Sequence, residues 1–374
     1  MSSGERQAEG SSPSSRLHAH SFGKSAPLSL GVEEELLLVD GELALCACSE
    51  QVLDAVSGTA AQRITSEIFA DQIELKTGVC LGADEALTQL RAARLAIREA
   101  GFGLLGAGLH PTDEPEQARI VSKPRYEIVR EDLGDLLRTP PCGLHVHIGM
   151  PDPETAVRLA NAFRLYLPVL QALSANSPFH AGADSGHASA RTQVVRSYPR
   201  FQVPRRFRDY EDFCRVADQL IAAAGVKDYT YIWWDVRPHP QLGTVEVRAV
   251  DVQTDAAGSV AIAALIQAIA AKELQHPAAP HLYRETLEES YFQAASYGLE
   301  AEIFFDSDSP QPAPEVARHV LELVRPYARE LGSEAALEEV ERTLREGNGA
   351  DRQRRIHRAA GMDGLLAHLS EHTR

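Results

Sequence analysis

The stretch Leu30-Gly31-Val32-Glu33-Glu34-Glu35-Leu36-Leu37-Leu38-Val39 carries the architecture. Side chains at i and i+2 of a strand point the same way, so Glu33 and Glu35 share one face while Val32, Leu36 and Leu38 share the other. Three more stretches sort in the same manner. In Gln72-Ile73-Glu74-Leu75-Lys76, Ile73 and Leu75 make an apolar face and Glu74 points away. In Gly143-Leu144-His145-Val146-His147-Ile148 the two histidines oppose Leu144, Val146 and Ile148. In Thr244-Val245-Glu246-Val247-Arg248-Ala249, Glu246 and Arg248 oppose Val245 and Val247.

One such strand is an ordinary half-exposed strand, apolar side inward and polar side to water. Four of them are harder to explain that way, because water-facing strands are usually rich in Thr, Lys and Ser. Four carboxylates and two imidazoles on one concave face would repel one another unless a cation neutralised them. Carboxylate oxygens suit Mg²⁺ or Mn²⁺, and an imidazole can join them. Mg²⁺ shares its coordination sphere with phosphates, which points to nucleotide chemistry. A mainly Glu cluster, with the cysteines outside it, argues against structural zinc.

Working outward, a fifth strand is expected at Tyr229–Arg237. Helical periodicity runs through Ala83–Ala100, Pro153–Ser174, Tyr210–Ala224 and Ala257–Leu274, with further helices at Glu315–Leu331, Ser333–Glu346 and Asp351–Leu369. Helices cluster instead of alternating strictly with strands. The expected class is therefore α+β, an antiparallel sheet with helices packed on one side. Residues 1–27, polar and almost free of large apolar side chains, are expected to be a disordered tail. Residues 28–374 follow as a single domain without a long linker or a repeat.

Two motifs mislead. Gly101-Phe102-Gly103-Leu104-Leu105-Gly106 matches the dinucleotide fingerprint, but a helix precedes it where a strand is required. Gly23-Lys24-Ser25 resembles the end of a phosphate loop, yet position 18 is His18 where that loop needs glycine.

The 374 residues carry 53 acidic against 37 basic side chains, a formal charge of −16 that repels a phosphate backbone, so nucleic acid is not an expected partner. Five cysteines, an odd and small number, argue for a reducing compartment. No apolar run approaches 18 residues, so no membrane partner is expected and a cytoplasmic location is.

Leu30-Gly31-Val32-Glu33-Glu34-Glu35, Gln72-Ile73-Glu74-Leu75 and Cys142-Gly143-Leu144-His145-Val146-His147 together resemble the carboxylate–amine ligases, or type 2 glutamate–cysteine ligases. So do Ala172-Leu173-Ser174-Ala175-Asn176-Ser177-Pro178-Phe179, and Trp234-Asp235-Val236-Arg237-Pro238-His239-Pro240 with the Glu246-Val247-Arg248 strand. The resemblance implies a glutamine-synthetase-like fold, a curved antiparallel sheet forming a funnel with helices outside. It also implies a metal set of Glu33, Glu35, Glu74, His145 and Glu246, with Glu33 needed for turnover. His147 would lie toward the phosphates of ATP, and Arg248 toward the acyl phosphate or the substrate carboxylate. The implied reaction is ATP- and Mg²⁺-dependent amide formation through an acyl phosphate. Glutamate as acid and cysteine as amine are the family's best-known pair, and a homo-oligomer is possible.

The chain departs from the family where basic residues are expected. His180-Ala181-Gly182-Ala183-Asp184 has alanines in such places, and Glu289–Gly298 has no basic residue. This implies an altered substrate or weak γ-glutamylcysteine synthesis, because an apolar side chain does not replace a bidentate guanidinium. Arg191, Arg196, Arg200, Arg205 and Arg206 form a basic stretch, read as a solvated loop or as a lid over ATP. Arg191 is its foremost catalytic candidate. Two rival functions are a degenerate ligase relative that binds nucleotide or amino acid without turnover, and a metallohydrolase built on His145 and His147.

Overall fold

A computed structural model describes residue 17 and residues 19–112, 119–278 and 282–374. Among these residues the main sheet has seven strands, β1 (Leu30–Val39), β2 (Ile64–Ser66), β3 (Gln72–Lys76), β4 (Gly103–Leu105), β5 (Gly143–Gly149), β6 (Val236–His239) and β7 (Thr244–Asp251). All pairings are antiparallel, in the order β2-β3-β1-β5-β7-β6. β4 pairs with the end of β1, opposite Leu37–Val39. The sheet is open, with β2 and β6 at its ends.

Besides two short helices, Ser49–Ala55 and Gly58–Ala61, the described residues form α1 (Ala83–Glu99), α2 (Pro124–Leu133), α3 (Pro153–Ser174), α4 (Ala190–Arg196), α5 (Tyr210–Ala224), α6 (Ala256–Gln275), α7 (Arg284–Tyr297), α8 (Ala313–Glu330), α9 (Leu337–Glu346) and α10 (Gly349–His372). α1 packs on β1, β3 and β4; α6 on β1 and β5; α3 on β6 and β7. α7 then covers α3, while α8 and α9 cover α6. Val32, Leu36, Leu144, Val146, Val245 and Val247 are all buried against this helical layer. That is the apolar side which parity assigned. α6 is long and apolar enough to cross a bilayer, and its surface is instead mostly buried inside the fold.

Helix boundaries follow local chemistry. Asp152 caps α3 by accepting from the Thr155 N–H at 2.8 Å, and Pro153 begins the first turn. α5 ends on Gly225 in the left-handed conformation, φ 67°.

Three expectations need correction. Tyr229–Arg237 is not one strand: Tyr229–Tyr231 is a short 3₁₀ turn capped by Asp228, and pairing begins only at Val236. The alternation there reflects two tyrosines that bury in a turn. β6 is an edge strand, which is why it tolerates Pro238. Second, a strand not expected from the sequence, β4, lies within the rejected dinucleotide motif; a Cβ on Gly103 would stand 2.6 Å from the Val39 carbonyl oxygen, so that glycine serves close strand approach. Third, most of the expected disordered tail, residues 1–16 and 18, lies outside the described residues, but its end is held. Ser21 N–H donates to Pro240 O (2.8 Å), Gly23 N–H donates to Met150 O (2.9 Å), and Phe22 is buried against the Tyr210 ring.

Candidate active site

Register turns parity into a two-dimensional array on the face away from the helices. Glu33 lies opposite His145 across β1–β5 and opposite Lys76 across β1–β3. Glu35 lies opposite Glu74, His147 opposite Glu246, and Glu246 opposite Arg237. Three overlapping triads result: Glu33, Glu74 and His145; Glu35, Glu67 and Glu74; Glu33, His147 and Glu246. In each, the three donor atoms lie within 4.8 Å of one another.

Within this array neither histidine is satisfied, and His147 is the one whose ring a hydrogen bond orients. His147 Nδ1 lies 3.0 Å from Thr244 Oγ1, which leaves Nε2 turned inward, 3.8 Å from both Glu33 and Glu246. His145 Nδ1 is 3.5 Å from Glu33 and its Nε2 is 3.8 Å from Glu35. His145 Nδ1 and His147 Nε2 are buried and make no hydrogen bond among the described residues. An imidazole oriented through one nitrogen, with the other aimed unpartnered at carboxylates, is the arrangement that metal ligands adopt. Backbone and hydroxyl donors position the acids: Gly143 N–H donates to Glu35 (2.6 Å) and Thr65 O–H to Glu74 (3.0 Å).

The electrostatics agree. Burial, then the neighbouring charges of Glu67 and Glu33, push the Glu74 carboxyl well above its ordinary range, although Lys76 sits 2.5 Å away. Burial and then Glu35 raise Glu67 to about 7. These acids are too crowded to ionise together without added positive charge, so the donor set fits a hard divalent cation. Burial lowers the His145 imidazole, with Arg248 assisting, which keeps it neutral as a ligand must be. For Glu246, burial opposes ionisation, but Arg237 and Arg248 outweigh it and hold the carboxyl well below its usual range. Arg237 Nε donates to one Glu246 oxygen at 2.7 Å and Arg248 Nη1 contacts the other. Glu246 thus joins the array already clamped by two guanidiniums, unlike Glu33.

Arg191 reaches the site from α4, whose cap is the Ser189 side chain accepting from Thr192 N–H. Its guanidinium lies against Gly143, where any Cβ would collide with it. Asp251 Oδ1 is 3.7 Å away, and Arg191 Nε and Nη1 have no hydrogen-bond partner among the described residues. Asp251 accepts from Asn176 N–H (2.9 Å), Ser177 O–H (2.7 Å) and Ser189 O–H (2.8 Å), tying the Asn-Ser-Pro segment to α4. Strict alternation would put Asp251 with Val245 and Val247. An irregularity in the β5–β7 register, between Leu144 and Val146, brings it opposite Gly143 on the site face instead.

The basic stretch divides: Arg205 and Arg206 are exposed in the loop before α5, whereas the other three are held in place. Arg191 is buried in the site, Arg196 donates to Asp235 (2.8 Å), and Arg200 contacts Asp132 while donating to Tyr231 O (3.0 Å). Other elements also bring guanidiniums to the two segments that lack them in sequence. Arg354 of α10 pairs with Asp184 at 2.8 and 2.9 Å, and Arg196 lies 4.4 Å from the Tyr291 ring centroid.

Two adjoining cavities meet at this face. A cleft of ≈ 430 Å³ contains Glu33, Glu74, Lys76, His147, Arg237 and Glu246. A smaller one of ≈ 130 Å³ contains Arg191, and Glu35, Glu67, His145 and Arg248 line both. All eight candidate residues of the sequence reading therefore come together. Sequence reasoning missed Lys76, Glu67, Arg237 and Asp251. Lys76 shares the parity of Glu74 and was available to the same argument. Arg237 lay in a wrongly bounded strand, Asp251 beyond a register irregularity, and Glu67 in a loop with no periodicity to read.

Comparison with known proteins places the chain in a family. Residues 29–372 match the family model described as glutamate-cysteine ligase family 2 (GCS2). A Rubrobacter xylanophilus protein with the provisional name glutamate–cysteine ligase 2-3 is 40% identical over 362 residues, covering 94% of this chain and 99% of its own. The glutamate–cysteine ligase of Haloquadratum walsbyi is 34% identical, with 91% and 94% covered. Among solved structures, the glutamate–cysteine ligase of Francisella tularensis in complex with AMP superposes with a TM-score of 0.73 at 13% identity, covering 94% of this chain and 89% of that one. At that identity the likeness concerns the fold.

Proposed function

The chain belongs to glutamate–cysteine ligase family 2 and is a ligase, and we propose that it forms an amide from ATP, a carboxylic acid and an amine through an acyl phosphate. The proposed acid is glutamate and the proposed amine an amino acid, cysteine being the one that the relatives' names give. Residues 28–374 act as one catalytic domain in this reading. The observation that carries it is the pair of buried, unpartnered nitrogens, His145 Nδ1 and His147 Nε2, facing Glu33 inside a crowded carboxylate array.

Glu33, Glu74 and His145 would hold one Mg²⁺ or Mn²⁺, with Glu35 and Glu67 beside them and His147 and Glu246 on the other side. The bound cation would supply positive charge that offsets the phosphate oxygens of ATP. The substrate carboxylate oxygen attacks the γ-phosphorus and ADP leaves. The amine then adds to the acyl carbon and phosphate departs, leaving the amide. Arg248 and Arg237, fixed in place by Glu246, present preorganised positive charge where the transferring phosphoryl group and the acyl oxygen gain charge. His147, oriented by Thr244, faces the phosphates. No covalent nucleophile is required, because positioning and fixed charge supply the acceleration.

The test is ADP release by purified protein with Mg²⁺, ATP and glutamate, across a panel of amines. Release that depends on both substrates and disappears in Glu33→Gln, with the fold intact, supports the ligase. Binding of Mg-ATP without ADP release for any pair would mean a non-catalytic relative. Hydrolysis of an amide or ester without ATP would mean a metallohydrolase.

A further inference from the structure

The ≈ 130 Å³ cavity beside the carboxylate array differs in character from the cleft it adjoins. Its floor is the Arg191 guanidinium, 2% exposed, with two N–H groups that find no partner among the described residues. Its lining includes Phe69, Val129, Leu133, Val195, Tyr198 and Phe201, with Glu35, Glu67, His145 and Arg248 where it meets the cleft. Asp251 balances the Arg191 charge from 3.7 Å but takes no hydrogen bond from Nε or Nη1, so a ligand carboxylate can still meet the guanidinium with two parallel N–H···O bonds. Apolar walls call for an apolar body. Glutamate offers a second carboxylate where these walls are largely hydrocarbon, so it fits the cleft lined by Lys76 and Arg237 better.

Size sharpens the choice. An apolar cavity of about 150 Å³ accepts a benzene ring. The present cavity is close to that, and a cysteine side chain, one methylene and one sulfur, would leave much of it unfilled.

We propose that the amine substrate is an apolar α-amino acid with a branched aliphatic or aromatic side chain, bound with its carboxylate on Arg191 and its side chain among Val129, Leu133, Val195 and Phe201. This rests on the ligase reading above. The neutral α-amine adds to the acyl carbon of the acyl phosphate, forming the C–N bond. The C–O bond to phosphorus-bound oxygen breaks, inorganic phosphate leaves with the electron pair, and the amine releases one proton. The product is a γ-glutamyl dipeptide with an apolar C-terminal residue.

The experiment measures kcat/KM by ADP release with glutamate and, in turn, leucine, phenylalanine, alanine and cysteine. Leucine or phenylalanine should exceed cysteine and alanine by at least about tenfold, the range expected for filling an apolar pocket. Val195→Phe should shift the phenylalanine-to-alanine ratio at least about tenfold toward alanine, an internal ratio that partial misfolding would not move. Isothermal titration supplies an arm independent of turnover. Leucine should bind, Arg191→Met should abolish that binding, and isoamylamine, which lacks the carboxylate, should bind wild type and variant alike. Preference for cysteine or alanine would overturn the inference and leave the ligase reading standing. ADP release with no pair, but leucine binding that requires Arg191, would overturn the ligase reading and keep the site. Absence of leucine binding together with absence of a leucine-dependent reaction would overturn the site.

Discussion

Glu34 and its two neighbours Glu33 and Glu35 are the same residue type on the same strand, one position apart, and they do opposite things. Glu34 turns to the helical side, where it is wholly buried and paired with Arg94 of α1 through contacts of 2.7 and 3.0 Å. Arg94 also donates to Thr254 O (2.7 Å) and Gln253 O (3.2 Å), so the ion pair anchors the turn before α6. Glu33 and Glu35 turn to the other face and meet imidazoles at 3.5 and 3.8 Å, too far for good hydrogen bonds. A carboxylate whose oxygens are all accounted for holds the fold together. A carboxylate left short of partners in a buried array is waiting for a ligand.

That contrast can be broken in a graded way. The largest effect is expected from Arg94→Ala, which strands the Glu34 charge in the core and should remove about 3–5 kcal/mol of stability in a denaturant titration. The double variant Glu34→Leu/Arg94→Leu should recover most of it, because a well-packed apolar pair replaces a buried ion pair at little cost. Glu33→Gln should do the reverse. ADP release should fall by about 10²–10³-fold while the denaturation midpoint drops only slightly, since glutamine keeps the shape and gives up only the attraction to Lys76, His145 and His147 at 3.5, 3.5 and 3.8 Å. A stability loss in Glu33→Gln comparable to that of Arg94→Ala would erase the distinction.

Smaller changes probe how the unsatisfied face is positioned. Gly143→Ala places a methyl group where the Arg191 guanidinium lies, and should lower kcat/KM by up to about 10²-fold with the fold retained. Thr244→Val removes the hydroxyl that orients His147 and should weaken Mg²⁺ binding by about 10–100-fold, read by titrating metal against ADP release and directly by calorimetry. An unchanged Mg²⁺ affinity in that variant would place the cation wholly on the Glu33, Glu74 and His145 side.

Glu34 itself shows where reading a sequence stops. Parity put Glu33 and Glu35 together and could as easily have shown that Glu34 falls among Val32, Leu36 and Leu38. Nothing local to β1 announces a partner 60 positions away on α1. Asp251 is the converse case, a residue whose parity is misleading because the register slips by one near His145. Arg196 and Arg354 make the same point for the segments that look stripped of positive charge, since each reaches them from a different helix.

What the sequence alone determined is whatever depends on the period of the backbone. It set the four strands that carry chemistry, the face on which Glu33, Glu35, Glu74, His145, His147, Glu246 and Arg248 stand, and the helices with clear caps such as Asp152 and Gly225. These are properties of a single chain segment, and alternation reports them directly. The tertiary structure decided which of the charged groups are satisfied. Pairing Arg94 with Glu34, clamping Glu246 between Arg237 and Arg248, and leaving Arg191 with open N–H groups above an apolar cavity all require segments far apart in sequence. Their encounter is fixed by strand register and helix packing, and the balance of burial against partner charge that distinguishes a structural ion pair from a reactive site exists only after that packing is complete.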